Sequence, residues 1–325
     1  MSHTLGNILA IINPHAGRSG ATKPAKLLCE ELRRSGANVQ ETFTTGIGDA
    51  CDIAFNEGAL YDLVVACGGD GTLSEVVSGL MRLESPPDVG FLPIGSTCDV
   101  AQTYKLSYNP VKAAHDMLHG SSFAIDIGQV SGSTSIMRDD LPDGVVPGDA
   151  DKLPNHFTYV SSFGAFAETS YATRRELKKA LGHFAYVVTG IWSVKDVRPV
   201  KTNVILDGVD YSGEYIFGGV LNSFSVGGMV RLDNVIFDDG VFEVLLVKPP
   251  KNVGQIAKLV SLLLRRKTGD AIIRKRARQA VFTFDKPISF TVDGEYGGSR
   301  TMWQITNIPR AINLRIPKPP QTHSE

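Results

Sequence analysis

LVVACGGDGT, residues 63–72, joins a strand pattern to a helix pattern. The apolar run from Leu63 to Cys67 predicts a buried β-strand, and the glycines after it allow a tight turn. Thr72 to Glu75 has the spacing of a capping box, which predicts a helix with Thr72 as its N-cap. The first turn of a helix offers unsatisfied N–H groups and the positive end of a dipole, so the junction favours an anion such as phosphate. A tight turn that serves geometry alone is the alternative.

Asp70 stands among these glycines, where its charge repels a bare phosphate. A divalent cation between the carboxylate and the phosphate removes that repulsion. Asp99 and Asp126 also end or follow apolar strands, so we expect the three carboxylates on one sheet edge, holding magnesium directly or through waters. For any single one of them, capping a helix is an equally good explanation.

Apolar strands alternate with helical stretches from Asn7 to Ile127. The pattern predicts strands at 8–12, 38–44, 63–67 and 89–93, and helices at 21–35, 48–57 and 73–83. This alternation predicts an α/β domain with a doubly wound parallel sheet, whose ligands lie at the carboxyl ends of the strands.

After Asp126 the pattern changes to strands joined by Gly and Asp turns. We predict strands at 157–163, 202–206, 214–221, 241–247, 280–284 and 288–292, and helices around 174–194 and 253–264. Residues 131–155 are rich in Gly, Ser, Asp and Pro, which predicts a mobile loop outside the core. The second half is therefore expected to be a largely antiparallel, all-β domain.

Composition excludes several classes of protein. The 33 Lys and Arg residues balance 34 Asp and Glu residues, which argues against a nucleic-acid binder with a strongly cationic surface. The four cysteines show no C-x-x-C pair, and no apolar run is long enough to span a bilayer, so we expect a reduced, cytoplasmic protein. A basic run at 265–278 fits an anionic membrane surface or the solvated face of a helix and turn.

Taken in order, the motifs of this chain resemble the diacylglycerol kinase catalytic-domain family, in particular soluble bacterial lipid kinases related to sphingosine kinases and, more distantly, NAD kinases. The resemblance covers nearly the whole chain and rests on residues 12–17, 68–75, 93–99, 125–128, 175–179, 222 with 227–228, 239–240 and 293–295.

The resemblance implies an ATP-binding α/β domain at 1–127, to which a segment at about 305–318 returns, and a C-terminal antiparallel β-sandwich at 128–304 for the lipid substrate. ATP lies in the cleft between the two in this family, and residues 319–325 form a loose tail. Carried over by position, the nucleotide contacts are Asn13, Pro14, His15, Ala16, Gly17, Thr44, Gly68, Gly69, Asp70, Gly71, Thr72, Leu73, Ser74, Glu75 and Ser96.

The resemblance also assigns the chemistry. Glu295 is the expected proton acceptor, with Asp293 beside it in the same Asp-Gly turn. Asp70, Asp99 and Asp126 are expected to organise the catalytic Mg²⁺. An optional structural magnesium is expected on the Asp239 side chain and the carbonyls of Ile236 and Val241.

The expected activity is ATP- and magnesium-dependent phosphorylation of a hydroxyl of diacylglycerol or a related lipid. A kinase for a soluble alcohol or NAD is one alternative. A catalytically silent nucleotide- or lipid-binding protein is another, favoured by Cys98, which stands where the family has Asn. The lipid substrate implies transient peripheral contact with the membrane from the cytoplasm. The balanced charge predicts no nucleic-acid partner, and a homodimer is left open.

Overall fold

The computed structural model describes residues 6–17, 20–95, 98–133, 154–164, 198–226, 230–232, 235–250, 255 and 271–318. The chain divides into two compact units, and each is described by itself. The first unit comprises Met1–Asp126 and Arg310–Glu325, and the second comprises Ile127–Pro309.

The first unit alternates strands with helices. Its strands are β1 (Asn7–Ile12), β2 (Asn38–Phe43), β3 (Leu63–Gly68) and β4 (Asp88–Pro93). Its helices are α1 (Thr22–Arg34), α2 (Asp49–Glu57), α3 (Asp70–Leu80), α4 (Asp99–Tyr104) and α5 (Pro110–His119), and a short 3-10 turn covers Gly58–Leu60. Two long strands, β5 (Ser121–Gly132) and β17 (Glu295–Ile316), contribute residues to both units.

The sheet of the first unit is parallel, in the order β2-β1-β3-β4. The end of β17 continues it, because Leu314 pairs with Val89 of β4 in parallel. This places the carboxyl ends of β1, β3 and β4 at one edge, where ligands of such sheets bind. The predicted parallel α/β arrangement is confirmed.

Helices cover both faces of this sheet. Ile8, Ala10 and Ile12 of β1 share a buried cluster with residues of α1 and α5, such as Leu28 and Met117. Side chains alternate along a strand, so Leu9 and Ile11 point to the opposite face, where α2 and α3 pack together. The strands therefore read as continuous apolar runs because both of their faces are buried.

The second unit consists of antiparallel strands wherever the structure describes their pairing. They are β6 (His156–Phe157), β7 (Val160–Gly164), β8 (Val200–Leu206), β9 (Val209–Asp210), β10 (Gly213–Tyr215), β11 (Phe217–Leu221), β14 (Phe242–Val247), β15 (Ile272–Ala277) and β16 (Gln279–Val292). A separate short pair is formed by β12 (Ser225–Val226) and β13 (Val230–Arg231). The antiparallel character predicted for the second half is confirmed.

An aromatic core fills this unit. The Trp303 ring stacks on Phe290 with 4.3 Å between ring centroids, and Trp303 Nε1 donates to the Ile288 carbonyl at 3.0 Å. Phe163, Phe282 and several aliphatic residues complete the same cluster. A buried indole needs a partner for its N–H, and the bond to Ile288 supplies one where β16 departs from regular register.

Some elements of local structure were not predicted, one predicted strand is divided, and two predicted helices lie outside or almost outside the described residues. The sequence patterns missed α4 and α5, although Asn109 followed by Pro110 is a typical helix start, and the Asn109 side chain does cap α5. The predicted strand 157–163 is split at Thr158 and Tyr159. The helix around 174–194 and almost all of that around 253–264 lie outside the described residues.

Candidate functional site

The glycine junction that follows β3 leads directly into α3. Gly69 is the N-cap in an extended conformation, and Asp70 is the first helical residue. Gly69 has no side chain with which to cap the first turn, and no side-chain cap hydrogen bond is made there. A helix start of this kind is suited to an anion.

The predicted capping box is wrong. Thr72 lies inside α3, and its Oγ1 accepts a hydrogen bond from Asn13 Nδ2 at 3.2 Å. Glu75 Oε2 accepts from the backbone N of Ala50 in α2, at 3.3 Å. The two side chains therefore connect α3 to the loop after β1 and to α2. They bind these distant partners in place of each other's backbone, which a capping box would require.

Three loops meet at the carboxyl edge of this sheet. A Cβ on Gly95, after β4, would lie 2.7 Å from the Cα of Gly69, so the two backbones touch. A Cβ on Gly17, after β1, would lie 2.4 Å from the Ile94 carbonyl oxygen, and Gly17 has a φ of 72°. Glycine is required at both positions because neither leaves room for a side chain.

The expected nucleotide contacts divide by exposure. Asn13, Pro14, His15, Ala16, Gly17, Gly69, Asp70, Gly71 and Glu75 are at least partly exposed, whereas Thr44, Gly68, Thr72, Leu73 and Ser74 are buried. The Thr44 N–H donates to the Ile12 carbonyl at 2.9 Å, which places Thr44 beside the end of β1. Ser96 lies outside the described residues. The first set is therefore accessible to a ligand, whereas the second set is not.

The Asp70 carboxylate caps the next helix. Its Oδ2 accepts from the backbone N of Asp99 at 3.1 Å, and its Oδ1 from that of Val100 at 3.3 Å. The N-cap of α4 is Cys98, which has a φ of 48° and makes no cap bond of its own. Asp70 therefore supplies the acceptor that a helix start requires.

Tyr108, a residue that the sequence patterns did not single out, lies close enough to this edge to interact with Cys98, Asp70 and Asp99. Burial, followed by the charges of Cys98, Asp70 and Asp99, raises the pKa of the Tyr108 phenol to about 12. Burial is also the main reason that the pKa of the Cys98 thiol lies well above its usual range. Both groups therefore stay protonated at neutral pH.

Asp126, the third expected magnesium ligand, is fully buried. Its Oδ1 accepts from the backbone N of Arg310 at 2.9 Å, which links β5 to β17 within the first unit. Among the residues that the structure describes, no group of three or more His, Cys, Asp or Glu side chains is arranged to hold a metal. Asp70, Asp99 and Asp126 are therefore not gathered into one cluster in the described part of the chain, where Asp70 and Asp126 accept backbone N–H groups, and their role toward Mg²⁺ stays a prediction.

In the second unit, the two carboxylates of residues 293–295, Asp293 and Glu295, differ in exposure. Asp293 is 2% exposed, and its oxygens accept from the backbone N of Thr158, Tyr159 and Val160 and from Thr158 Oγ1. Burial raises the pKa of the Asp293 carboxyl to about 6, against the opposing effect of these bonds. Glu295 is exposed at the start of β17. Of the two expected catalytic residues, only Glu295 is accessible to a substrate.

Asp239 does not fit the optional structural magnesium. Its Oδ2 is ion-paired with Arg276 Nη2, and its Oδ1 accepts from the Val241 backbone N at 3.2 Å. Ile236 is 40% exposed and lies in the same loop. The guanidinium already supplies the positive charge that a metal ion would bring to this carboxylate.

The basic run is described only from residue 271 onward. Arg274 contacts the buried Glu243 at 2.7 Å, and Arg276 contacts it at 3.5 Å in addition to Asp239. Lys275 lies over the Tyr211 ring at 5.5 Å and is exposed, as is Arg278. Two of these four cations are thus neutralised within the unit. No helix in the described part of the chain is long and apolar enough to cross a bilayer.

Comparison with known proteins identifies relatives across the whole chain. Residues 7–130 match the family model for the diacylglycerol kinase catalytic domain. The chain is 29% identical over 314 residues to the diacylglycerol kinase of Bacillus subtilis (strain 168), covering 95% of each protein. It is 26% identical to that of Staphylococcus aureus (strain MRSA252), covering 94% of this chain and 91% of the relative.

A solved structure shares the fold. The crystal structure of a diacylglycerol kinase from Bacillus anthracis str. Sterne matches with a TM-score of 0.76 at 20% identity, covering 97% of this chain and 98% of that one. Together with the glycine junction of residues 63–72, these comparisons show that residues 7–130 are similar to the diacylglycerol kinase catalytic domain, and that the chain is similar over nearly its whole length to proteins named diacylglycerol kinase.

Proposed function

We propose that this protein transfers the terminal phosphoryl group of ATP to a hydroxyl of diacylglycerol or a closely related lipid. The observation that carries the proposal is similarity over 95% of both chains to a relative named diacylglycerol kinase. Similarity over the full length includes the second unit, to which the proposal assigns the lipid.

The donor half of the proposal lies in the first unit. Gly69 to Gly71 at the start of α3, together with Asn13 to Gly17, are the groups proposed to hold the ATP phosphates. Their support is physical, because a helix N-terminus attracts negative charge and glycines let the backbone approach a phosphate. Thr44, Ser96 and the buried residues of α3 complete the proposed contacts. Bound there, ATP supplies the phosphoryl group.

The proton acceptor is assigned to Glu295. A carboxylate beside the attacking hydroxyl orients it and accepts its proton, so it must reach the substrate. Glu295 is exposed, whereas Asp293 is buried and hydrogen-bonded through both oxygens. This difference supports Glu295 over Asp293 as the base.

Magnesium enters the proposal as the ion that accompanies ATP in solution. No protein ligand is assigned to it, because Asp70, Asp99 and Asp126 are not gathered into one cluster in the described residues. The acceptor lipid resides in a membrane, so the proposal includes transient peripheral contact from the cytoplasm. Lys275 and Arg278 are exposed basic residues that could support such contact with anionic lipid.

The test is phosphate transfer from radiolabelled ATP by the full chain, with magnesium and phosphatidylglycerol vesicles. Separate reactions contain diacylglycerol, monoacylglycerol, ceramide, glycerol or NAD. We expect label in diacylglycerol, and a loss of about 100- to 10,000-fold in kcat for Glu295→Gln. The matched control is Glu214→Gln, which changes an exposed strand glutamate of the same unit and is expected to retain kcat.

Two results would contradict the proposal. Label in NAD or glycerol and in no lipid would assign a different acceptor. Turnover by Glu295→Gln at the wild-type rate would remove the assignment of the base, even if the lipid is correct.

A further inference from the structure

The turn that precedes Glu295 has an unusual backbone. Asp293 and Gly294 have φ values of 49° and 83°, and they join β16 to β17, where Val292 pairs with Glu295. A two-residue turn with two positive φ values matches the twist of a hairpin, and Asp followed by Gly suits it. The position of Glu295 therefore depends directly on the conformation of this turn.

The Asp293 carboxylate binds a neighbouring segment at four points. Oδ2 accepts from Thr158 N at 2.7 Å and from Thr158 Oγ1 at 2.9 Å. Oδ1 accepts from Tyr159 N at 3.0 Å and from Val160 N at 3.1 Å. In return, Asp293 N donates to the Val160 carbonyl at 2.8 Å. Five hydrogen bonds thus connect one residue of the turn to residues 158–160.

These bonds explain why the predicted strand 157–163 is interrupted. Thr158 and Tyr159 direct their N–H groups to the carboxylate, and the strand resumes only at Val160. Each buried N–H must find an acceptor, so loss of the carboxylate would leave several donors unsatisfied at once. The segment and the turn therefore hold each other in place.

The same unit contains a second turn of this design. Asp207 and Gly208 have φ values of 46° and 83°. The Asp207 carboxylate accepts from Arg278 N at 2.9 Å and Gln279 N at 2.8 Å, and Asp207 N donates to the Gln279 carbonyl at 3.1 Å. Asp207 is exposed, and the residue two positions later is Val209, whereas the corresponding residue after Asp293 is Glu295. It provides an internal control for a turn without a catalytic neighbour.

We infer that Asp293 is a positioning residue, which fixes the turn bearing Glu295 through the backbone of residues 158–160. The inference rests on the proposed function, and it removes Asp293 from the groups that touch substrate. Its carboxylate is buried and faces backbone donors and the Thr158 hydroxyl. Asp293 acts on the reaction through Glu295, two residues along the chain.

Kinetics of single variants test this role. We expect Asp293→Asn to lower kcat by about ten- to a hundredfold, because displacing a catalytic group by about 1 Å has effects of that size, with the KM for ATP unchanged. Thr158→Val removes one donor and should lower kcat less, whereas Thr158→Ser retains the hydroxyl and kcat. Asp207→Asn should retain kcat within about twofold, since its turn positions no catalytic group.

A double-mutant cycle separates positioning from general stability. In a Glu295→Gln background, Asp293→Asn should cause no further loss of kcat. The base is already absent from that background, so displacing residue 295 has no additional effect on proton transfer. An equal fold-loss in both backgrounds, or no loss in either, would overturn the inference. If Asp293→Asn does not fold, the pair Thr158→Val and Thr158→Ser is used in the same cycle and decides in the same way.

Hydrogen exchange provides a readout that does not depend on turnover. Asp293→Asn should speed exchange by at least about tenfold at the amides of Tyr159, Val160 and Glu295, relative to Asp207→Asn. Unchanged exchange at Glu295 would overturn the inference even if kcat falls. Faster exchange in a protein whose Glu295→Gln variant has wild-type turnover would show that the hydrogen bonds of Asp293 hold the turn and that the assignment of Glu295 as the base has failed.

Discussion

Asn13 Nδ2 donates a hydrogen bond to Thr72 Oγ1 across 3.2 Å, and so joins the loop after β1 to the first turn of α3. The two residues are 59 positions apart in the sequence. Asn13 Oδ1 also accepts from the His15 backbone N at 3.0 Å, so a single amide organises both sides of the proposed phosphate site. The Asn13 side chain thus connects the loop after β1 to the start of α3.

Loss of the Thr72 hydroxyl should therefore weaken nucleotide binding. We expect Thr72→Val to raise the Kd for ATP about three- to tenfold, since one hydrogen bond contributes about 1 kcal/mol. Thr72→Ser keeps the acceptor and should bind like wild type. Isothermal titration calorimetry measures both, and equal affinities for the two variants would contradict the role of this bond.

The contact between Gly95 and Gly69 predicts a steric effect on stability. Gly95→Ala places a Cβ 2.7 Å from the Gly69 Cα, and overpacking of this kind costs about 1–3 kcal/mol. Gly46→Ala is the matched control, because nothing lies within 4 Å of its added Cβ and its φ is not positive. Urea unfolding compares the two. A Gly95→Ala variant as stable as Gly46→Ala would show that the loops separate easily.

The raised pKa of the Asp293 carboxyl leads us to expect that the free energy of unfolding depends on pH. Burial raises its pKa in the folded state from 3.8 to about 6, so the folded state holds its proton more tightly than the unfolded state. The associated stabilisation is complete below about pH 4 and is lost as the pH rises through about 6, amounting to about 3 kcal/mol. The difference in unfolding free energy between wild type and Asp293→Asn, measured from pH 4 to 7, should fall accordingly. A flat difference would contradict the raised pKa.

Thiol reactivity should follow burial. Cys29, Cys67 and Cys98 are buried, whereas Cys51 is half-buried. Burial raises the pKa of all four thiols, to about 12 for Cys29, so the difference in exposure distinguishes Cys51. Because the thiolate is the reactive form, iodoacetamide on the folded protein should label Cys51 first, and mass spectrometry identifies the site. Early labelling of Cys98 would show that the start of α4 opens.

The ion pair between Asp239 and Arg276 predicts the response to divalent cations. Wild type without ATP should show no change in Tm with millimolar Mg²⁺, because Arg276 occupies the carboxylate. Arg276→Gln removes the cation that contacts both Asp239 and the buried Glu243, so this variant should be less stable than wild type. Mg²⁺ should restore part of its stability by replacing the lost positive charge. Arg278→Gln is the control on the neighbouring exposed cation. A rise in the wild-type Tm that Asp239→Asn abolishes would instead support the structural magnesium.

The local sequence pattern was sufficient to predict the parallel sheet and the glycine junction after β3. Five consecutive apolar residues before Gly68 indicate a strand buried on both faces, and alternation with helices indicates a parallel sheet whatever the side-chain partners are. The ordered motifs added the resemblance to diacylglycerol kinases, which the similar proteins share by name. Short α4 was missed because its cap comes from Asp70, 29 residues earlier, which no local pattern reveals.

The role of each carboxylate could not be predicted in the same way. Asp126 binds the backbone of Arg310, 184 residues away, and Asp293 binds that of Thr158, 135 residues away. Periodicity reports which face of an element is apolar, but a hydrogen bond requires a donor within about 3 Å, and distant segments meet only when the chain packs. The amino-acid pattern thus set the sheets and the residue types at their ends, and packing of the folded chain selected Glu295 as the exposed acid and Asp293 as its support.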